Sequence, residues 1–410
     1  MNPTRPVILV LCDYYLPGYK AGGPIVALAN LIELLGDDVL FRVVTRDRDL
    51  GDRTPYSSSM PGCWCPVGKA MVRYLSPQEL RSSTLQKVLQ ETPHDTLYVN
   101  SFFSSEFSVR PMYWRKRGAL PHKPIVLAPR GELSPASLRI KSYKKLPYLF
   151  LARRLELYDG LKWHATSEQE SNDILTMTEN RNRGGDLPFS SPYLLSDIGT
   201  PFDDRVSMYW EKKREGSLKI AFLSRVSRIK NLPLAISLLS DLPGKIEFNV
   251  FGPIEDNHVW ENCQRLIKTL GPDIHVAYRG AIPHADVPQV MAAHHLFFLP
   301  TQSENFGHVI SEALSAGCPV LISDQTPWRD LASHGTGWDL SLDNLDGFRQ
   351  ALVKCLGMGQ QEHEKMRRHA QQFVQSRQSI DFRSGYLSLF SSWTSQHLSD
   401  PIAKLQRKAS

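Results

Sequence analysis

What the 410-residue chain lacks narrows its function first. No apolar run approaches the roughly 20 residues of a spanning helix, which argues against an integral membrane protein. The run Val7-Ile8-Leu9-Val10-Leu11-Cys12 is halted at Asp13 and lacks a small-residue cleavage site. It reads as a first buried strand and not as a signal peptide. Cysteine is scarce and scattered: Cys12, Cys63, Cys65, Cys263, Cys318 and Cys355. Only Cys63 and Cys65 are close-set, one residue short of a C-x-x-C, and no second Cys/His pair lies at zinc spacing. Free thiols in a cytoplasmic protein are the expectation. No G-x-G-x-x-G fingerprint appears, which argues against NAD or FAD. The stretch from Gly62 to Gly68-Lys69 fails as a phosphate-binding Walker loop, and Arg367 stands where a zincin would carry its second histidine after His363. There is no repeat with a solenoid period.

Composition is otherwise ordinary for a globular chain, 41% hydrophobic and 22% charged, and the length prior of about 150 residues per domain gives two to three domains. The net charge of +6 is unevenly placed. Residues 110–162 hold thirteen Lys and Arg against Glu132, Glu156 and Asp159, a local excess of ten that leaves the rest of the chain at −4. Such a segment suits nucleic acid, an anionic membrane surface or a phosphorylated substrate, or else a solvated helix face.

Short aliphatic runs alternate with amphipathic stretches, the pattern of βαβ units around parallel sheets. Strands are expected at 6–12, 39–45, 70–74, 95–100, 124–128 and 162–166, with helices at 23–35, 76–91, 106–117, 137–157 and 168–178. Residues 180–217 are punctuated by Gly and Pro and suit a domain boundary. The pattern restarts with strands at 218–223, 246–251, 274–279, 296–300 and 319–323 and helices at 231–241, 256–270, 286–293, 307–316 and 361–376. The reading is two Rossmann-like doubly wound α/β domains facing across a cleft, over residues 1–197 and 198–379, with a loose polar tail over 396–410.

Chemistry is expected in loops that follow strands. In Leu299-Pro300-Thr301-Gln302-Ser303-Glu304-Asn305-Phe306-Gly307-His308-Val309-Ile310-Ser311-Glu312, a strand gives way to a loop and a helix. The amides of Asn305, Phe306, Gly307 and His308 open that helix, a favourable place for phosphate. Glu304 and Glu312 flank it, and carboxylates beside phosphate suit the hydroxyls of a ribose or sugar ring. Phosphate with polyhydroxyl means a nucleotide sugar. His308 either faces the cleft or packs at the helix start. After the first strand of the second half, Arg225 and Lys230 straddle a turn from which both would reach one diphosphate. Gly22-Gly23, between the first strand and first helix, would let backbone approach a ligand closely. Asp47-Arg48-Asp49 imitates a metal-binding D-x-D, but metal binding there is not expected.

Together these residues resemble the family 4 retaining glycosyltransferases, which have the GT-B fold. The likeness runs from Ile8 to about Phe390 and is carried by the Glu-x7-Glu element Glu304 to Glu312, the Arg225/Lys230 pair and the early Gly-Gly loop. The resemblance implies that Arg225 and Lys230 hold the donor diphosphate, that Glu312 binds the ribose and that Glu304 lies near the donor sugar. It also implies that Arg279-Gly280-Ala281-Ile282 lies beside the base, and that a last helix over about 380–393 crosses back to the first domain. Two features depart from the family. A histidine usual after the strand at 124–128 is absent, and Arg130 and Glu132 become candidates for acceptor or donor contacts, or form a structural ion pair. The hinge reads Ser196-Asp197-Ile198-Gly199-Thr200-Pro201 where a Pro-Asn-Gly is usual. The form resembles a subgroup making bacterial surface polysaccharides.

The implied activity is retaining transfer of a hexose-type sugar from a UDP- or GDP-linked donor to a hydroxyl on a lipid-linked or oligosaccharide acceptor. The product would enter a lipopolysaccharide O-antigen, capsule or exopolysaccharide. Catalysis would rest on Arg225, Lys230 and Glu304, with no metal or cofactor, in the cytoplasm or at the inner membrane face, where the basic segment would meet anionic lipid. The rivals are a nucleotide-sugar epimerase or hydrolase of the same fold, and a nucleic-acid binder using residues 110–162. Against the latter, Tyr113, Trp114, Tyr143 and Tyr148 have helical spacings that suit core packing.

Overall fold

The computed structural model describes residues 5–57, 60, 62–179, 191–199, 204–378 and 381–391. Two sheets organise them. The first contains β1 (Val7–Cys12), β2 (Leu40–Arg46), β3 (Trp64–Val67), β4 (Ala70–Leu75), β5 (Thr96–Asn100), β6 (Ile125–Ala128), β7 (Lys162–Ala165) and β8 (Tyr193–Leu194). Their order is β3-β4-β2-β1-β5-β6-β7-β8, parallel except for β3, which runs against β4. The second contains β9 (Ser217–Leu223), β10 (Lys245–Phe251), β11 (Ile274–Gly280), β12 (Leu296–Leu299), β13 (Val320–Ser323) and β14 (Gly337–Leu340). Its order is β11-β10-β9-β12-β13-β14, all parallel.

The central strands are apolar on both faces, as a sheet covered on both sides requires. In β1, Leu9 and Leu11 face a core that includes Val99 and Trp163, while Ile8 and Val10 face one that includes Phe41 and Tyr98. The helix Phe382–Ser391 closes this second face: Tyr386, Leu389 and Phe390 pack there, and the Phe390 ring lies 5.3 Å from that of Tyr98. In each sheet the order reverses beside a central strand, at β1/β5 and at β9/β12. Crevices open at the carboxyl ends of strands at such points. The loops in question are 13–22 and 101–104 in the first domain, 224–231 and 300–307 in the second.

Every expected strand is present, within two residues. The differences are local. The helix expected at 76–91 splits into Pro77–Arg81 and Thr84–Glu91, the first opened by a Ser76–Glu79 capping box. That expected at 106–117 begins with a wide turn, Ser105–Val109, before Arg110–Lys116. That expected at 137–157 breaks at Lys141, whose φ of 53° is left-handed, into Pro135–Arg139 and Ser142–Arg154. Unforeseen are the short edge strands β3, β8 and β14 and the helix Leu345–Gly357. β14 starts at Gly337, with φ 154°, where a Cβ would stand 2.0 Å from the Val320 carbonyl oxygen. Much of the punctuated 180–217 stretch and the whole 396–410 tail lie outside the described residues.

Candidate active site

Four loops bring the candidate residues to the two carboxyl edges. Loop 300–307 is fastened within its own domain: the Gln302 amide donates to the Ile229 carbonyl at 2.7 Å, and the Glu304 amide to that of Gln325 at 2.9 Å. Trp328 Nε1 donates to the Phe306 carbonyl at 2.7 Å, and the Phe306 ring lies against Trp328 and His308. Gly307 then caps the helix His308–Ser315 with φ 78° and ψ 57°. Its carbonyl accepts from the Ile310 and Ser311 amides, so the amides of His308 and Val309 are the orphan donors a helix start leaves. A Cβ at Gly307 would stand 2.8 Å from Ile310 Cδ1 and 3.1 Å from Glu304 Cγ. Gly307→Ala is therefore expected to lower stability by about 1–2 kcal/mol through left-handed strain alone. It should also displace Glu304, and urea unfolding with a nucleotide titration measures both effects.

Each candidate cation of the second domain, Lys230, Arg225 and Arg279, meets a carboxylate. Lys230, at the end of the turn Arg228–Lys230, lies 2.5 Å from Glu304, with both side chains nearly buried. Arg225 lies 2.9 Å from Glu255, both well exposed. Arg279 donates to Asn249 at 2.8 Å and lies 3.8 Å from Glu247, while Ile282 packs on the second domain's core. Glu312 is buried and lies 2.8 Å from His284 Nε2. That hydrogen bond raises the His284 imidazole above its ordinary value, its own burial notwithstanding.

The first domain meets this edge through three contacts. Gly22, with φ 73°, opens the helix Gly23–Leu35, and a Cβ on Gly23 would touch the His308 ring at 3.4 Å. Asp49 holds the loop ahead of these glycines, accepting from the Tyr19 and Lys20 amides at 2.7 and 3.0 Å, and Asp47 pairs with Arg48. The D-x-D imitation thus shapes a loop. Asn305 reaches Thr166, Ser167 and Glu170, and Glu170 also accepts from the Gly131 amide at 2.6 Å. Finally, Asp197 in the hinge bridges the domains: one oxygen accepts from Arg130 at 2.6 Å, the other from His308 Nε2 at 3.1 Å. Burial works to raise the Asp197 carboxyl, but Arg130 and His308 outweigh it and hold the group far below the usual carboxylate range.

Arg130 and Glu132 both have structural partners. Arg130 is nearly buried and spends its guanidinium on Asp197, Asn100 and the Tyr98 hydroxyl. The chain of bonds continues from the Tyr98 hydroxyl to His164 Nδ1 at 2.8 Å, and His164 Nε2 donates to the Leu195 carbonyl at 2.9 Å. Glu132 accepts from the Phe102 and Phe103 amides at 2.6 and 2.8 Å, and burial pushes its carboxyl up. Both residues sit just past β6 and shape the first domain's edge, though they do not pair with each other. His308 is buried at the domain interface, and its Nδ1 has no hydrogen-bond partner. Sequence reasoning passed over Asp197, Glu170 and His284. Only Asp197 carried a signal, as an acid inside the atypical hinge.

Solved structures share this fold over nearly the whole chain. The Anabaena protein Alr3699/HepE in complex with UDP and glucose superposes with a TM-score of 0.64 at 18% identity, over 94% of this chain and 98% of that one. WaaG, a glycosyltransferase involved in lipopolysaccharide biosynthesis, gives 0.62 at 14% identity, over 94% and 100%. A trehalose-6-phosphate protein of E. coli bound with UDP-2-fluoro glucose gives 0.66 at 13% identity, over 94% and 98%. The fold is GT-B: two Rossmann-like domains facing across a cleft. Residues 209–373, the greater part of the second domain, match the family described as glycosyl transferases group 1. A curated relative, the 2-deoxystreptamine N-acetyl-D-glucosaminyltransferase of Niallia circulans, is 27% identical over 145 residues. That match spans 35% of this chain and 36% of the relative, about a third of its length.

Proposed function

We propose that this chain is a retaining glycosyltransferase that moves a sugar from a nucleotide-diphosphate donor to a hydroxyl acceptor, without a metal. The observation that supports this best is the grouping of Lys230, Glu304 and the Gly307 helix start at one sheet edge, opposite the Gly22-Gly23 loop. The donor lies mainly on the second domain, its diphosphate between Arg225, Lys230 and the first-turn amides, its ribose on Glu312. As the bond from the sugar's C1 to the diphosphate oxygen breaks, these fixed positive groups stabilise the charge growing on the leaving oxygens. The acceptor oxygen bonds to C1 on the face that the diphosphate leaves, and its proton passes to a diphosphate oxygen. The Asp197–His308 and Asn305–Glu170 contacts hold the domains together around this step and limit access of water. The GT-B neighbours include proteins bound to UDP and UDP-sugars, which supports a UDP-linked donor. The likeness to WaaG supports a lipid-linked or oligosaccharide acceptor in bacterial surface polysaccharide synthesis, handled at an anionic membrane face.

A thermal-shift screen against UDP, GDP, ADP and their sugar conjugates tests this reading. At a hundred times its dissociation constant, the correct nucleotide should add about 2.7 kcal/mol of stability. Glu312→Ala should abolish that gain. If no nucleotide stabilises the wild-type protein, the transferase reading loses its support. Donor breakdown at full rate without any acceptor would favour a hydrolase or epimerase of the same fold.

A further inference from the structure

The thirteen basic residues of 110–162 divide into two groups. Several serve the fold: Arg110 donates to the Ser82 carbonyl and lies over the Trp114 ring, Arg115 donates to the Asp159 carbonyl, Lys116 pairs with Glu156, and Arg130 is in the hinge network. Arg139, Lys141, Lys144, Arg153 and Arg154 are different. All five are exposed, and none has an ion-pair partner among the described residues. From Arg139 to Leu155 the sequence has no acidic residue at all.

The helix Ser142–Arg154 in this stretch buries Leu149 and Ala152 against the first domain, yet it is apolar on its solvent side too. Tyr143 is 71% exposed, Leu146 55%, Phe150 74% and Leu151 52%. Tyr143, Leu146 and Phe150 recur at three- and four-residue spacing and so form one ridge. Tyr143 and Tyr113 were expected in the core; both face solvent, Tyr143 because Tyr148 and Ala152 take the inward positions of its helix, Tyr113 because Met112 takes that of its own. An exposed apolar ridge flanked by unpaired cations has two requirements, apolar depth and negative charge. A second copy of the chain would set Lys144 and Arg154 against their own equivalents, and a polynucleotide would leave Leu146 and Phe150 in water. An anionic bilayer satisfies both requirements.

We infer that the helix Ser142–Arg154 docks the protein on an anionic lipid surface, with Tyr143, Leu146 and Phe150 in the headgroup layer and Lys144, Arg153 and Arg154 on the lipid phosphates. The placement suits acceptor delivery. The chain runs from Gly131, which faces Asn305 in the cleft, through Pro135–Arg139 directly into this helix. A lipid-linked acceptor emerging beside the ridge therefore enters near the domain interface. This deepens the transferase reading, on which the link to an acceptor rests.

Flotation of the full chain with vesicles of phosphatidylcholine, alone or mixed with phosphatidylglycerol, tests the inference. Wild type is expected to float only with the anionic vesicles. R153Q/R154Q should weaken partition about 25-fold, at about 1 kcal/mol per basic residue. L146S/F150S should abolish flotation with every charge still in place, while melting temperature and the nucleotide-induced thermal shift stay as in wild type. Equal partition onto neutral and anionic vesicles, no partition by wild type, or undiminished partition of L146S/F150S would each overturn it. So would a dimer in sedimentation that L146S/F150S converts to monomer. Failure here with the nucleotide shift intact removes the membrane site alone; loss of the nucleotide shift in wild type removes the transferase reading instead.

Discussion

Lys230→Ala is expected to slow sugar transfer by about 10²–10³-fold, the usual cost of deleting one positive group aimed at a developing oxyanion. The same change strands Glu304, whose carboxylate lies 2.5 Å from the Lys230 ammonium in a nearly buried pair. Breaking such a pair from one side leaves a poorly solvated charge, so stability should also fall, by about 1–3 kcal/mol. The two effects separate in the double variant. Lys230→Ala with Glu304→Gln removes the stranded charge and should recover stability, but not turnover. Single-turnover kinetics on the donor, with urea unfolding of each variant, reads both quantities. Turnover near wild type for Lys230→Ala would remove the fixed-cation account of leaving-group stabilisation.

Acid should unfold this protein early. Among the buried histidines, burial pushes four imidazoles far down: His164 and His294 to about 4, His295 and His363 to about 3. One of them has a hydrogen bond that only the neutral ring can make: His363 Nδ1 accepts from Arg367 Nε. Below about pH 6.5 the unfolded chain binds protons at these rings that the folded chain refuses, so stability falls as pH drops, until the folded rings titrate near 4. At pH 5 each retained shift costs about 2 kcal/mol. The Asp173 carboxyl, raised to about 6 chiefly by burial, works in the opposite direction, as does the raised Glu132. Those two carboxyls do not balance four imidazoles. Urea unfolding at pH 7.5, 6 and 5 should show a steep fall in midpoint. A flat profile would mean that the rings are solvated on a timescale that lets them protonate in place.

The fold was legible where one periodicity dominated. Strands such as Val7–Cys12 and Leu296–Leu299 are buried on both faces and read as unbroken apolar runs. Edge strands were not legible: Trp64–Val67 contains Pro66, and Tyr193–Leu194 is only two residues long, so neither offers a pattern. For the site, sequence spacing identified side chains but not their partners. Glu304 and Lys230 are 74 residues apart, and nothing in the sequence pairs them. In sequence, Arg130 is open between a ligand contact and a structural ion pair, because it stands where the resembled family usually has a histidine. Its actual partners, Asn100 and Asp197, come from a neighbouring strand and the hinge, which only the assembled sheet brings within reach. In Ser142–Arg154 the difficulty was different in kind. Apolar residues occur on opposite sides of that helix, so its inward face could not be told from its outward one.

The helix Phe382–Ser391 has a further consequence, for the order in which the protein is made. Phe390 and Tyr386 complete an apolar layer whose other members, Ile8, Val10 and Phe41, leave the ribosome first. The whole second sheet is synthesised in between. The first domain therefore waits, with one side of its sheet uncovered, until residues 382–391 have emerged, while the second can finish folding on the tethered nascent chain. A stall in translation before Phe382 emerges would leave a folded second half attached to an unfinished partner.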